Sequence, residues 1–210
     1  MARDERSPTV RGRSGAVPGP KRSQGAPVGR DQVREAVIEA AAHLFSERGV
    51  DGVSLRDIAE QANVQLALIG RYLGRREEVI DEVFRWLNTQ VAEELAAKPL
   101  GQLEHGRQAP LNRWLAVMTY YEGHRAPPAT DGPDPVRTLA AMFQEHYGLE
   151  PEIARRRAAQ VSAISLGWRM FEDYLVRTAG LGDVDLGELR DDITAIQRLI
   201  GSAPWPTPQP

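Results

Sequence analysis

Apolar side chains recur along this chain at the three-and-four spacing that places them on one face of an α-helix. Val33, Val37, Ala40 and Leu44 follow that spacing with Phe45 beside them, predicting a first helix over 31–48, capped by Asp31 and stopped by Gly49. Ser54 followed by Asp57 resembles a capping box and predicts a short helix over 55–61. Asn63 stands where the chain must then turn, and a third short helix over 65–73 ends at Gly74. A longer fourth helix begins near Arg76 and aligns Ile80, Phe84, Leu87, Val91 and Leu95. After a loop over 99–110, a helix is predicted over 111–121, followed by a loop over 125–135. The next helix aligns Val136, Leu139, Phe143 and Tyr147. No segment sustains period-two alternation, so the fold class is all-α.

Two further helices carry more apolar surface than one core needs. Val161, Ile164, Trp168, Phe171 and Leu175 share one sector of the first, and Ala163, Leu166, Gly167, Met170 and Tyr174 an adjoining one. A surface helix requires an apolar stripe about 100° wide, and these two sectors together cover more than half the circumference. Gly180 and Gly182 end this helix. Asp185 with Glu188 caps the next, where Leu186, Leu189, Ile193, Ile196 and Ile200 again follow three-four spacing. The pair suits a self-complementary four-helix interface with a second copy, through Val161, Ile164, Phe171, Leu175, Ile193, Ile196 and Ile200. The alternative is a thick monomeric core.

Composition narrows the picture. The 210 residues contain no cysteine, which excludes disulfides, thiolate metal sites and a Cys nucleophile. The longest charge-free apolar stretch, 158–168, is far shorter than the roughly 20 residues that span a bilayer. No apolar run follows the charged amino terminus, so the expected location is the cytoplasm, without a membrane partner. A net charge of −3 argues at first against a nucleic-acid partner. Resolved by segment, it divides into +5 over 1–30, −4 over 31–86 and −4 over 87–210. The first segment is rich in Gly, Pro and Arg and poor in large apolar residues, and reads as a disordered basic arm. Four prolines within 203–210 read as a flexible tail.

The chemistry-bearing motif lies between Leu55 and Tyr72. Two short helices joined by a tight turn need a small residue at their crossing, which Ala59 supplies. Four positions later the turn needs positive φ, which Asn63 tolerates. Leu55, Ile58, Val64, Leu68 and Ile69 then face inward, leaving one face of the second helix free for a DNA major groove. An ordinary helical hairpin explains the apolar spacing equally well.

The surrounding residues sharpen the choice. The segments LFSERGVDGVSLRDIAEQANV and ALIGRYLGRREEVIDEVF resemble the DNA-binding domain of the tetracycline-repressor (TetR) family over about 31–86. The match includes Phe45, Gly49, Ser54, Ile58, Ala59, Val64, Tyr72, Gly74 and Glu77. Departures are Asn63 for the usual Gly, Leu73 for Phe, Arg76 for Lys, and Gly70-Arg71 in the recognition helix. AISLGWRMFEDYLVRTAGL likewise resembles a dimerisation helix of such regulators.

The resemblance implies a homodimeric transcriptional regulator, a repressor bound to a palindromic operator in double-stranded DNA and released by a small-molecule effector. On its DNA face, Gln65 suits adenine, Leu66 and Ala67 suit thymine methyls, and Arg71 suits a guanine edge or a phosphate. Gly70 would allow close backbone approach, Ser54 and Tyr72 offer hydroxyls to phosphates, and Arg76 opens the fourth helix where an anion is attracted. The regulatory and dimerisation domain spans 87–202, and the family's pocket places Trp86, Trp114, Met118, Tyr121, Phe143, Tyr147 and Trp168 as candidate ligand contacts. The rival readings are an all-α ligand-binding protein or enzyme using that aromatic cavity, or an architectural DNA binder working through its arm. Against an enzyme stand the lack of a nucleophile–base pair and of a phosphate loop, and the isolation of His124 and His146, which offer no metal site. No cofactor is implied.

Overall fold

The computed structural model describes residues 26–97 and 109–202, so most of the basic arm and the proline-rich tail lie outside the described residues. The described residues form eight helices and no strand. They are α1 (Arg30–Arg48), α2 (Leu55–Gln61), α3 (Leu66–Tyr72), α4 (Arg76–Ala96), α5 (Ala109–His124), α6 (Pro135–Tyr147), α7 (Pro151–Thr178) and α8 (Leu186–Ser202).

Local chemistry explains most boundaries. Gly49, at φ 71°, stops α1 and donates its N–H to the Phe45 carbonyl at 3.0 Å. The expected capping box forms: the Asp57 N–H donates to Ser54 Oγ at 3.2 Å, and the Ser54 N–H donates to Asp57 Oδ2 at 2.8 Å. Asn63 takes φ 53°, the one positive value outside glycine among the described residues. The turn closes with the Val64 N–H on the Ala59 carbonyl at 2.9 Å. Gly74, at φ 96°, ends the segment after α3, and a Cβ there would run into the Glu78 carboxylate. Asp134 caps α6 through the Val136 and Arg137 N–H groups, both at 3.0 Å. Asp185 caps α8 through the Gly187 and Glu188 N–H groups.

Two ends differ from expectation, and the start of α7 is placed by the structure. The N-cap of α1 is Gly29 rather than Asp31, because the chain turns at Gly29, with φ 92°, two residues before the expected cap. Asp31 sits instead in the first turn, where its carboxylate faces the positive end of the helix. α5 extends beyond 111–121 to His124, and α7 starts ten residues before Val161, with Pro151 preset for a first helical turn.

The helices bury two apolar clusters. The first runs from α1 through α4 and on into Trp114, Val117 and Tyr121 of α5. The second joins Leu139, Ala140 and Phe143 of α6 to Ala154, Ala158 and Val161 of α7, with Tyr147 and Ile200 packed on it. The first core therefore does not close at Trp86; α5 packs against α1 and α4 as part of it. α4 also packs against α6, so one helix touches both clusters.

Candidate nucleic-acid interface

α3 is held by one fully buried residue. Ile69 is 0% exposed, with Leu68 and Tyr72 half-buried beside it on the first core. The opposite face presents Gln65, Leu66, Ala67, Gly70 and Arg71, all exposed. Leu66 is 40% exposed and, alone of these, a large apolar side chain. Gln65 caps the helix in extended backbone and leaves its side chain out of the cap. Among the described residues, nothing beyond its own helix neighbours lies within 4 Å of a Cβ built on Gly70, so packing there does not require glycine. Gly70→Ala is accordingly expected to stabilise the fold by roughly 0.5–1 kcal/mol while lowering DNA affinity, measured by thermal melting and anisotropy titration. The Arg71 guanidinium lies 5.6 Å from the centroid of the Tyr72 ring, a cation–π arrangement at the end of this face.

Ser54 and Arg76 are placed differently from the other candidates. The Ser54 hydroxyl donates to Asp57 Oδ2 at 2.5 Å, so its proton is already used in the cap. That hydrogen bond, together with the one from the Ser54 N–H, holds the Asp57 carboxyl below the usual carboxylate range. Arg76 does not stand with the exposed residues of α3. Its half-buried guanidinium donates to the Val50 carbonyl at 2.5 Å and the Val53 carbonyl at 3.5 Å, and lies 6.0 Å from the Tyr120 ring centroid. These carbonyls belong to the α1–α2 connection, which Arg76 braces against α4 and α5. Its Nε and Nη2 are thereby engaged within the protein, which supports a bracing role. Arg76→Ala should cost about 1–2 kcal/mol of stability and leave the salt dependence of DNA binding unchanged.

Behind this face, the end of α5 is fastened to the DNA-facing helices. The Tyr121 hydroxyl donates to Asp81 Oδ1 at 2.6 Å, and Arg125 pairs with the same oxygen. Burial first, then Asp81, pushes the Tyr121 phenol far up from its ordinary pKa; Asp81 likewise raises Arg125. His124 stacks on Tyr120, with ring centroids 4.3 Å apart, and reaches Asp51 at 3.5 Å. Aromatic periodicity gave no signal for this cluster, because its partners lie 40 or more residues apart.

The seven aromatic and Met candidates lie in three places. Trp86, Trp114, Met118 and Tyr121 belong to the first apolar cluster, and Phe143 and Tyr147 to the second. Trp168 lines a cavity of about 240 Å³ together with Asn112, Arg169, Glu172 and Arg190. There Glu172 accepts from Trp168 Nε1 at 2.9 Å and from Arg190 at 2.9 and 2.6 Å, an ion pair that raises the Arg190 pKa.

The seven interface candidates also divide. Val161 is buried in the second cluster, Ile200 packs on it, and Ile164 and Ile193 are half-buried. Phe171, Leu175 and Ile196 are exposed. They are joined by Met170, Tyr174, Leu186 and Leu199, of which Leu199 was missing from the predicted stripe although it follows Ile196 by three. No described helix is long and apolar enough to cross a membrane.

Comparison with known proteins identifies this arrangement. The pattern described as "Bacterial regulatory proteins, tetR family" matches residues 37–83, the segment that runs from within α1 into α4. The chain is 28% identical over 181 residues to an HTH-type transcriptional repressor of Mycobacterium tuberculosis, covering 83% of this chain and 92% of that repressor. Residues 37–83 are thus similar to the DNA-binding segment of the TetR family.

Solved structures agree on the fold. A tetR-family transcriptional regulator from Streptomyces coelicolor superposes with a TM-score of 0.55 over 82% of each chain, at 16% identity. A transcriptional regulator from Aquifex aeolicus gives 0.50 over 80% of this chain and 99% of that one, also at 16% identity. The matched segment and the similarity to a transcriptional repressor over most of the chain support a DNA-binding transcriptional regulator. Its helix-turn-helix is α2–turn–α3.

Proposed function

We propose that this regulator is a cytoplasmic homodimeric repressor that reads a palindromic operator with Gln65, Leu66, Ala67, Gly70 and Arg71 and leaves it when a small molecule binds. The observation that carries the reading is the exposed row on α3, backed by the buried Ile69. A helix anchored on one side and open on the other fits a major groove, and Gln and Arg are the side chains that read adenine and guanine there. Tyr72 and the arm before Arg30 add backbone contacts, and Arg71 reaches a base edge or a phosphate.

The DNA-facing unit spans 31–86 and the regulatory unit 87–202. Exposed Met170, Phe171, Tyr174, Leu175, Ile196 and Leu199 on α7 and α8 form the surface that a second copy covers, since so large an apolar patch is rarely left open to water. Effector binding among the aromatic residues of α4 and α5 acts on the DNA face through the α5 fastening at Asp81 and Arg76. For release, the effector must bind the arrangement with mis-spaced recognition helices more tightly than the operator-bound one. Footprinting tests the reading. Protection of two half-sites about one helical turn apart is expected, and uniform protection of unrelated DNA would reject it.

A further inference from the structure

The contact between α4 and α5 contains a polar side chain that its neighbours do not satisfy. Asn88 is 1% exposed and lies among the buried Leu87, Val91 and Ala92 of α4. Its Oδ1 accepts the Trp114 Nε1–H at 2.5 Å. An indole nitrogen only donates, so this bond fixes which end of the amide is oxygen. The other end, Nδ2, is buried and has no acceptor among the described residues. An unpaired buried amide donor is costly, and an apolar side chain of similar volume would remove the cost. A ligand oxygen supplies the missing acceptor and so gives Asn88 a reason to be there.

We infer that Asn88 Nδ2 anchors an effector site between α4 and α5 that takes an uncharged, mostly apolar molecule through a carbonyl oxygen. The inference rests on the ligand-release reading and names the ligand class that reading requires. Among the described residues, Asn88 is the one buried amide or charged side chain of α1–α5; the other two, Arg157 and Gln197, lie on α7 and α8. At Asn88 an ionised group would face the buried apolar Leu87, Val91 and Ala92, while the charges farther along the α4–α5 contact, Asp81 and Arg125, are already paired with each other. The apolar body of the ligand lies along the half-buried stripe of Leu111, Leu115 and Met118 on α5, with Leu95 on α4 and Leu166 on α7. Met118 is unbranched and adapts its shape to an entering group. A molecule wedged between α4 and α5 also bears on Arg76 and Tyr121, the two points at which these helices hold the DNA-facing unit.

The test uses the full chain and a pair of fluorescent probes: prodan, a neutral naphthyl ketone, and its analogue with methylene in place of the carbonyl. Wild-type protein should bind the ketone about tenfold more tightly than the analogue, the discrimination expected of one buried hydrogen bond. Asn88→Leu combined with Trp114→Phe removes both polar partners together. That variant should melt at least as high as wild type and bind both probes equally. Equal binding of the two probes by wild type, binding of neither, or a ketone preference retained by the variant overturns the inference. The wild-type comparison does not depend on any variant folding. Operator release, followed in the same samples, separates the two readings. Ketone preference without release leaves the site standing and removes ligand-controlled release. A compound that releases operator equally from wild type and variant leaves release standing and overturns the role of Asn88.

Discussion

Phe171→Glu combined with Leu199→Glu should yield a monomer whose operator affinity is lower by about a hundredfold or more. Both side chains are large, apolar and more than half exposed, Phe171 at 53% and Leu199 at 67%, so neither substitution opens a hole in either core. The folded protomer should therefore survive, with a melting temperature that no longer depends on protein concentration. The loss of affinity follows from geometry. In a dimer, docking of the first α3 makes the second docking intramolecular, and that advantage typically multiplies affinity by roughly 10²–10⁴. Paired carboxylates facing each other across a two-fold axis add like-charge repulsion in a desolvated setting. Sedimentation velocity and anisotropy titration on the same samples check both halves of the result. A dimer with undiminished affinity would move the interface away from this face of α7 and α8.

Asp81→Ala should cost about 2–4 kcal/mol of folding stability, the largest loss expected from a single polar substitution in the chain. Asp81 is 20% exposed and accepts from both the Tyr121 hydroxyl and Arg125. Its removal strands a buried phenol and a guanidinium at the same point. Asp81→Asn keeps an acceptor for Tyr121 and should lose roughly half as much, measured by urea titration. The cluster also gives the protein a pH dependence with a definite sign. Tyr121 holds its proton more tightly when folded, so its contribution is complete below its unfolded pKa of about 10 and declines as pH rises above it. Tyr121→Phe should abolish that alkaline decline. The same substitutions should blunt any effector response, because they loosen α5 from the helices that carry α3.

The DNA-binding unit was legible because its requirements are local. The capping box of Ser54 and Asp57, the small Ala59 at the helix crossing, the positive φ of Asn63 and the collision avoided at Gly74 each involve residues within a turn or two. Inward and outward faces of α3 likewise follow from spacing alone, with Ile69 buried and Gln65, Ala67 and Arg71 out. Arg76 was not legible. Its partner carbonyl at Val50 lies 26 positions away, and a basic residue opening a helix reads equally well as a phosphate contact. Apolar periodicity in α7 established that more than one partner was needed, but it did not show which residues each partner covers. Val161 went to the second core, Leu166 to the first, and Phe171, Leu175, Met170 and Tyr174 to the outside. The aromatic candidates were dispersed for the same reason: periodicity gives a direction from the helix axis, not the identity of the neighbour. Trp86, Trp114 and Tyr121 went to one core, Phe143 and Tyr147 to the other and Trp168 to neither. Asn88 had a visible signal, an amide within the Leu87–Val91–Leu95 stripe, but its bond to Trp114 depends on how α4 and α5 pack.

The most direct test of the account is selection of bound duplexes from a random pool, followed by titration of the recovered sequence with wild type and with Gln65→Ala/Arg71→Ala. A two-fold-symmetric sequence should be enriched. The double variant should bind it at least about tenfold more weakly while its affinity for unrelated DNA falls much less. Recovery of no common sequence, or equal binding of the selected duplex by wild type and the variant, would contradict the claim that α3 reads the operator.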